Sequence, residues 1–313
     1  MSATQNTAQS TVIKVNGVSK WFGSVVAVND VSFQVQPGIT GLLGPNGAGK
    51  STILNVITGK SSASEGEVTV LGQTARDNPE LYNNLGVMSE HEAVYGFLSG
   101  REFVEYAAEL HGLDAITESV DRAIALVGLE DAQLRKLGTY SRGMRQRMRL
   151  AAAMVHDPQV LILDEPLNGT DPRQRLDFHD TMSRLAAEGK TILISSHILE
   201  EVETLASTIL LMVSGKLAAA GDFRAIREKL DEQAYKVRVV TDSPRDMAAA
   251  LVGLDDIDSV SVDANCELTV LSRNVSTLQR SIPKLAQERN IRLMRVEPLD
   301  DSLESIFSYV VDR

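Results

Sequence analysis

Apolar and polar residues alternate over Val12 to Val18 and again over Val25 to Val35, the period-two pattern of half-buried strands. Lys20-Trp21-Phe22-Gly23 lies between them, and Pro37-Gly38 marks a turn. Four short runs are apolar throughout: Ile39 to Leu43, Leu85 to Met88, Val160 to Leu163 and Thr191 to Ile194. Continuous apolar runs of this length fit strands buried on both faces, and helical patterns separate them. Phe103, Tyr106, Ala107 and Leu110 fall on one helical face, and Val120, Ile124 and Val127 on another. A further helix is expected from near Ser141 to His156, then one over Arg173 to Glu188 and one around Glu200 to Leu205. The segment of about 90–157 therefore reads as a helical insert between two strands. Together these patterns predict an α/β chain with a mostly parallel core sheet, preceded by an antiparallel β-subdomain.

Past Gly221 the order of elements changes. Strand 235–240, helix 244–252, strands 258–263 and 267–271, helix 275–288 and strand 291–297 give a split βαβ, ferredoxin-like α+β order. A last amphipathic stripe carries Leu303, Ile306, Phe307 and Val310. The expected organisation is a disordered tail at 1–10, a first domain at 11–221 and a C-terminal accessory domain at 222–313.

Composition narrows the function classes. The chain has 313 residues and a net charge of −11, which argues against general nucleic-acid binding. No apolar run approaches the roughly 18–20 residues of a membrane span, so this chain alone is not expected to form a channel. Residues 1–10 have no secretory signal pattern. One cysteine, Cys266, excludes an internal disulfide, fits the cytosol and sits in an alternating segment, where it reads as buried filler.

The chemistry concentrates at Gly44-Pro45-Asn46-Gly47-Ala48-Gly49-Lys50-Ser51-Thr52. This stretch fits the pattern G-x-x-x-x-G-K-[ST], with an apolar strand before it and a helix start after it. Its glycines let the backbone turn tightly, so several N–H groups can face one anion, and the helix start adds unpaired donors. Lys50 would reach the β- and γ-phosphates, Ser51 would offer its hydroxyl to Mg²⁺, and Thr52 would support an inner phosphate. Downstream, Val160 to Leu163 ends at Asp164-Glu165. Asp164 is expected at the carboxyl edge of the sheet beside this loop, holding Mg²⁺, with Glu165 one residue on to polarise water.

With these two elements in place, the chain resembles the nucleotide-binding subunit of an ABC transporter. Tyr140-Ser141-Arg142-Gly143-Met144-Arg145-Gln146-Arg147 is similar to the family's LSGGQ signature, and Asn168-Gly169-Thr170-Asp171 to its D-loop. His197 matches the switch histidine, Phe22 the aromatic that stacks on adenine, and Glu90 stands where the Q-loop glutamine is usual. The resemblance covers about the first 220 residues. It implies a P-loop ATPase that binds ATP and Mg²⁺, with Ser51, Asp164 and Glu90 near the metal and Lys50, Glu165 and His197 as the catalytic set. Ser141 and Gly143 would contact ATP held by a second copy, with Asp171 linking the two sites. Arg142 replaces a glycine, Met144 a glutamine and Glu90 a glutamine of the usual motifs. These variants resemble the exporter branch known as ABC-2. That branch implies a separate transmembrane permease, a docking surface including Tyr95, Phe97 and Leu98, and a peripheral position on the cytoplasmic face of the membrane. Two other readings keep the ATPase and drop export: a soluble ABC protein acting on ribosomes or DNA, and a regulatory nucleotide binder of low turnover.

Overall fold

The computed structural model describes residues 11–90, 94–198, 200–222, 235–254, 256–263, 267–272 and 274–299. The expected tail at 1–10, Cys266 and the stripe from Leu303 to Val310 lie outside the described residues. The chain divides into two compact units, Met1–Asp222 and Phe223–Arg313.

In the first unit, β1 (Ile13–Phe22), β2 (Val25–Val35), β4 (Glu65–Val70) and β5 (Gln73–Thr74) form a four-stranded sheet of order β2-β1-β4-β5. Its pairs are antiparallel. Strand β1 is longer than the alternation predicts. It runs through Phe22, which pairs with Val25 across a turn at Gly23, so Phe22 ends a strand and does not lie in a loop.

The second sheet is the frame of the unit. It has six strands in the order β10-β9-β3-β8-β7-β6, with β3 at Gly38–Leu43, β6 at Leu85–Met88, β7 at Val160–Asp164, β8 at Thr191–Ser196, β9 at Thr208–Val213 and β10 at Lys216–Gly221. All neighbours are parallel except β9 and β10, a hairpin whose first strand and turn follow the apolar run Ile209 to Val213 and Ser214-Gly215, while β10 has no apolar run to mark it. Strands β7 and β8 are buried at every position, as their unbroken apolar runs require. Ligands of such sheets bind outside the carboxyl ends of the strands. Here those ends carry Leu43, Met88, Asp164 and Ser196 side by side.

Helices cover this sheet. They are α1 (Lys50–Ile57), α2 (Gly100–Leu110), α3 (Ile116–Leu126), α4 (Arg142–Met154), α5 (Pro172–Ala187) and the short α6 (Glu200–Glu203). Ser99 caps α2 through a capping box with Glu102. The insert packs through Val104, Ala108, Val120 and Ile124, all fully buried. Phe103, Tyr106, Ala107 and Leu110 share one face of α2, as their spacing predicts, and line one wall of a groove; Phe103 and Ala107 are half-buried against the core, while Tyr106 and Leu110 are 47% and 70% exposed.

The second unit holds β11 (Tyr235–Thr241), α7 (Pro244–Leu251), β12 (Ile257–Val262), β13 (Leu268–Ser272), α8 (Val275–Glu288) and β14 (Leu293–Pro298). The sheet order β12-β13-β11-β14, antiparallel throughout, is the ferredoxin-like arrangement that the element order predicts. Its core joins Val239, Leu268 and Val270 to Met247, Leu251, Leu278 and Ile282 of the helices.

Candidate functional site

The glycine-rich loop leaves β3 at Leu43 and enters α1 at Lys50. Gly47 and Gly49 have φ of +82° and +97°, a region that side-chain-bearing residues rarely adopt. A Cβ on Gly49 would also fall 2.5 Å from the carbonyl oxygen of Ala27, so the loop is closed from behind by β2. Gly49 caps α1 without any side-chain hydrogen bond. The first-turn N–H groups thus face the loop with no capping acceptor, which suits an anion.

Lys50 is 6% exposed. Its Nζ donates to the carbonyl of Gly44 at 2.7 Å and of Pro45 at 3.3 Å, and lies 3.3 Å from Oε1 of Glu165. The other oxygen of Glu165 lies 2.8 Å from Nδ1 of His197. A carboxylate only accepts, so the histidine proton at this contact is on Nδ1. Glu165 has φ of +50°, a strained conformation for a residue with a Cβ. Its backbone N–H donates to Ser195 Oγ at 2.9 Å, and Ser195 Oγ donates to Asp164 Oδ1 at 2.5 Å. Ser195, fully buried at the end of β8, therefore locks both carboxylate residues into one geometry. The apolar run Thr191 to Ile194 stops just short of Ser195, and nothing local in the sequence marks this serine as the anchor.

The structure thus brings Lys50, Asp164, Glu165 and His197 into one hydrogen-bonded group at the carboxyl edge of the sheet. The donor set fits a phosphate chain with a divalent cation: an uncapped helix start and a lysine for the phosphate, and the Ser51 hydroxyl at the start of α1 and the Asp164 carboxylate at the end of β7 for the ion. Among the described residues, no three His, Cys, Asp or Glu side chains converge as a metal site. Mg²⁺ needs only one or two protein ligands and completes its shell with water and substrate phosphates. Glu90 lies two residues past the end of β6, at the same edge of the sheet. The residue before it is held firmly: Ser89 Oγ accepts from Lys60 Nζ at 2.6 Å, and the Ser89 carbonyl accepts from the buried guanidinium of Arg149.

The signature residues form a second group. Ser141 caps α4 by accepting from the N–H of Met144 at 3.2 Å. Tyr140 anchors this start in the insert, its buried hydroxyl donating to the carbonyl of Ala132 at 2.7 Å. Arg142 Nη2 donates to Asn168 Oδ1 at 3.2 Å, and the guanidinium lies against Gly169. Gly143 faces Gln174; a Cβ there would fall 1.6 Å from Gln174 Oε1. Asp171 caps α5 by accepting from the N–H of Gln174 at 2.9 Å. Arg142 and Gly143, the first residues of the helix that Ser141 caps, thus meet the Asn168–Gln174 segment. Phe22, at the tip of the antiparallel sheet, is 56% exposed, and Lys20 Nζ lies 4.9 Å from its ring centroid.

Beyond β6 the insert borders a groove of about 570 Å³ lined by residues that include Lys60, Tyr82, Tyr95, Tyr106, Arg149 and His156. Tyr95 and Phe97 are 50% and 69% exposed, with ring centroids 5.8 Å apart, while Leu98 is half-buried. His111 and His156 stack with centroids 3.6 Å apart. Burial, then the neighbouring His111, lowers His156 to about 4.

Comparison with known proteins agrees with this geometry. Residues 28–168 match the family model described as ABC transporter. The chain is 33% identical to the ABC transporter ATP-binding protein YhcH of Bacillus subtilis (strain 168), over 95% of both chains. It is 31% identical to the bacitracin transport ATP-binding protein BcrA of Enterococcus faecalis, over 96% of both. A solved ATP-binding subunit of an ABC transporter superposes with a TM-score of 0.64 at 28% identity, covering 70% of this chain and 93% of that one. With its phosphate loop, paired carboxylates and relatives matched over nearly their full length, the chain belongs to the ATP-binding subunits of ABC transporters and is an ATPase of that family.

Proposed function

We propose that two copies of this chain close around ATP and that the opening and closing of the pair drives a separate ABC-2-type export permease. The observation that carries the reading is the division of the site into two groups on one chain. Lys50, Asp164, Glu165 and His197 form one; the start of α4, capped by Ser141 and meeting Asn168 through Arg142 and Gln174 through Gly143, forms the other, with Asp171 capping the helix of Gln174. A signature group built on its own D-loop segment is a face available to a second copy's nucleotide.

Within the first group, Lys50 and His197 both hold the Glu165 carboxylate. Arriving phosphate oxygens take over these two cationic or N–H partners, and the carboxylate is released toward water. Water then attacks the γ-phosphorus in line, the bond to the β–γ bridging oxygen breaks, and the proton lost by water passes to Glu165. Ser51 and Asp164 would hold Mg²⁺, with Glu90 at the same edge; the ion supplies charge neutralisation for the phosphates. Ser195 keeps Asp164 and Glu165 from moving independently. Phe22 stacks on adenine, with Lys20 beside it. Across the dimer, the N–H of Gly143 and the hydroxyl of Ser141 complete the phosphate shell at the start of α4.

The start of the insert just after Glu90, where Tyr95 and Phe97 are exposed beside the half-buried Leu98, is the docking surface for the permease. The second unit acts as an accessory domain. A chain in which no described helix is long and apolar enough to cross a membrane then works from the cytoplasmic face through its partner. ATP turnover by the reconstituted complex tests the reading. Glu165→Gln should lower turnover by roughly 10²-fold or more while ATP still binds. Turnover unaffected by this change would remove Glu165 from its role.

A further inference from the structure

The turn that presents His197 rests on an ion pair that no motif describes, between a buried carboxylate and a partly exposed arginine. Glu201, in α6, is 5% exposed, yet it carries a carboxylate. Oε2 accepts from Ser196 Oγ at 2.7 Å, and that same Oγ accepts from the N–H of Ile198 at 3.0 Å. The Ser196 hydroxyl thus closes the turn that holds His197 and fastens it to Glu201. The other oxygen, Oε1, lies 3.3 Å from Arg175 Nη1. This contact is an ion pair without a hydrogen bond, since Glu201 Oε1 and Arg175 Nε are both buried and lack hydrogen-bond partners. Arg175 is one turn into α5; its N–H bonds to the carbonyl of Asp171, the residue that caps that helix. A second tie runs from α5 to the residue just past α6, with Thr204 Oγ1 3.2 Å from His179 Nδ1.

We propose that Arg175 and Glu201 are positioning residues for His197, linking the helix capped by Asp171 to the loop that presents the histidine. The inference rests on the hydrolytic role proposed above for His197. A buried carboxylate needs its cation, so a shift of α5 that moves Arg175 must carry Glu201 or leave its carboxylate uncompensated. Glu201 in turn holds Ser196 and the turn around His197. Contact with a second copy at Asp171 would reach His197 through this path, and the histidine would be correctly set only when α5 is.

The test uses the full chain, measuring turnover at saturating ATP, ATP affinity and thermal midpoint for Arg175→Met, Glu201→Gln, their double variant and Arg175→Lys. Arg175 is about one-third exposed and Glu201→Gln is isosteric, so these variants are expected to fold. Each of the first two should lower kcat about tenfold or more with ATP affinity within about twofold. The double variant should be no slower than the slower single, because the residues act as one unit. Arg175→Lys, which keeps the charge, should regain most of the turnover. Unchanged kcat in both singles, affinity falling in step with kcat, or losses that multiply in the double variant would overturn the proposal. Glu165→Gln, run alongside, separates the two readings. If it leaves turnover intact, the hydrolytic assignment fails; if it abolishes turnover while the Arg175 and Glu201 variants do not, only the positioning role fails.

Discussion

Oε2 of Glu165 lies 2.8 Å from Nδ1 of His197, although 32 positions separate them in the chain. Parallel pairing of β7 with β8, Asp164 opposite Ser195, brings their strand ends together. The contact predicts that His197→Ala lowers kcat by roughly 10²-fold, the scale of losing a positioned proton-transfer or charge-stabilising group. ATP affinity should change far less. Equal losses in kcat and affinity would point to a binding role instead.

Lys50 is the other partner of Glu165, and both side chains are 6% exposed. Replacing Lys50 with alanine removes the cation that faces Glu165 and the carbonyls of Gly44 and Pro45. Nucleotide titration should find ATP affinity lowered by about tenfold or more, since a charged hydrogen bond contributes about 1.5–3 kcal/mol. Retained affinity in Lys50→Ala would show that the phosphate is held elsewhere.

The side chain that alanine would add at Gly143 points at Gln174, not outward. Gly143→Ala is therefore expected to lower turnover several-fold by pushing Gln174, whose backbone N–H serves the Asp171 cap. Adding Gln174→Ala should restore much of that loss. If the double variant stays as slow as Gly143→Ala, the glycine is required for the approach of another molecule and not for packing on Gln174.

Much of this site is legible in the sequence because its parts are local. The phosphate loop is a contiguous stretch between a strand and a helix, and Asp164-Glu165 follows an unbroken apolar strand. Wholly apolar runs likewise mark β3, β7 and β8 as buried, which sets their carboxyl ends as the site's edge. What the sequence does not disclose depends on distant partners. Ser195 matters because β8 lies beside β7, and Glu201 because α5 lies near α6; neither residue has a distinctive neighbour in the chain. Alternation missed β10, whose alanines and glycine carry no strong strand signal. The helical period puts Phe103, Tyr106, Ala107 and Leu110 on one face of α2, but that this face borders a groove while the smaller Val104 and Ala108 fill the core depends on what packs against the helix.

His156 brings a pH dependence of stability. It is held at about 4, below its ordinary value of 6.5, chiefly by burial and then by His111. His111 is lowered by burial as well. At pH values between these two, the unfolded chain takes up a proton that the folded chain refuses. Stability from this group is therefore complete above about 6.5 and lost as pH falls toward 4. Thermal melts across this window should show a falling midpoint that His156→Phe makes shallower. An equal slope in the variant would place the acid sensitivity elsewhere.

The most direct measurement is a structure of the Glu165→Gln chain trapped with ATP and Mg²⁺. Each triphosphate is expected between the Gly44–Thr52 loop of one copy and Ser141 and Gly143 of the other. A triphosphate enclosed by a single copy, with Ser141 remote from any nucleotide, would contradict the shared site and the export cycle built on it.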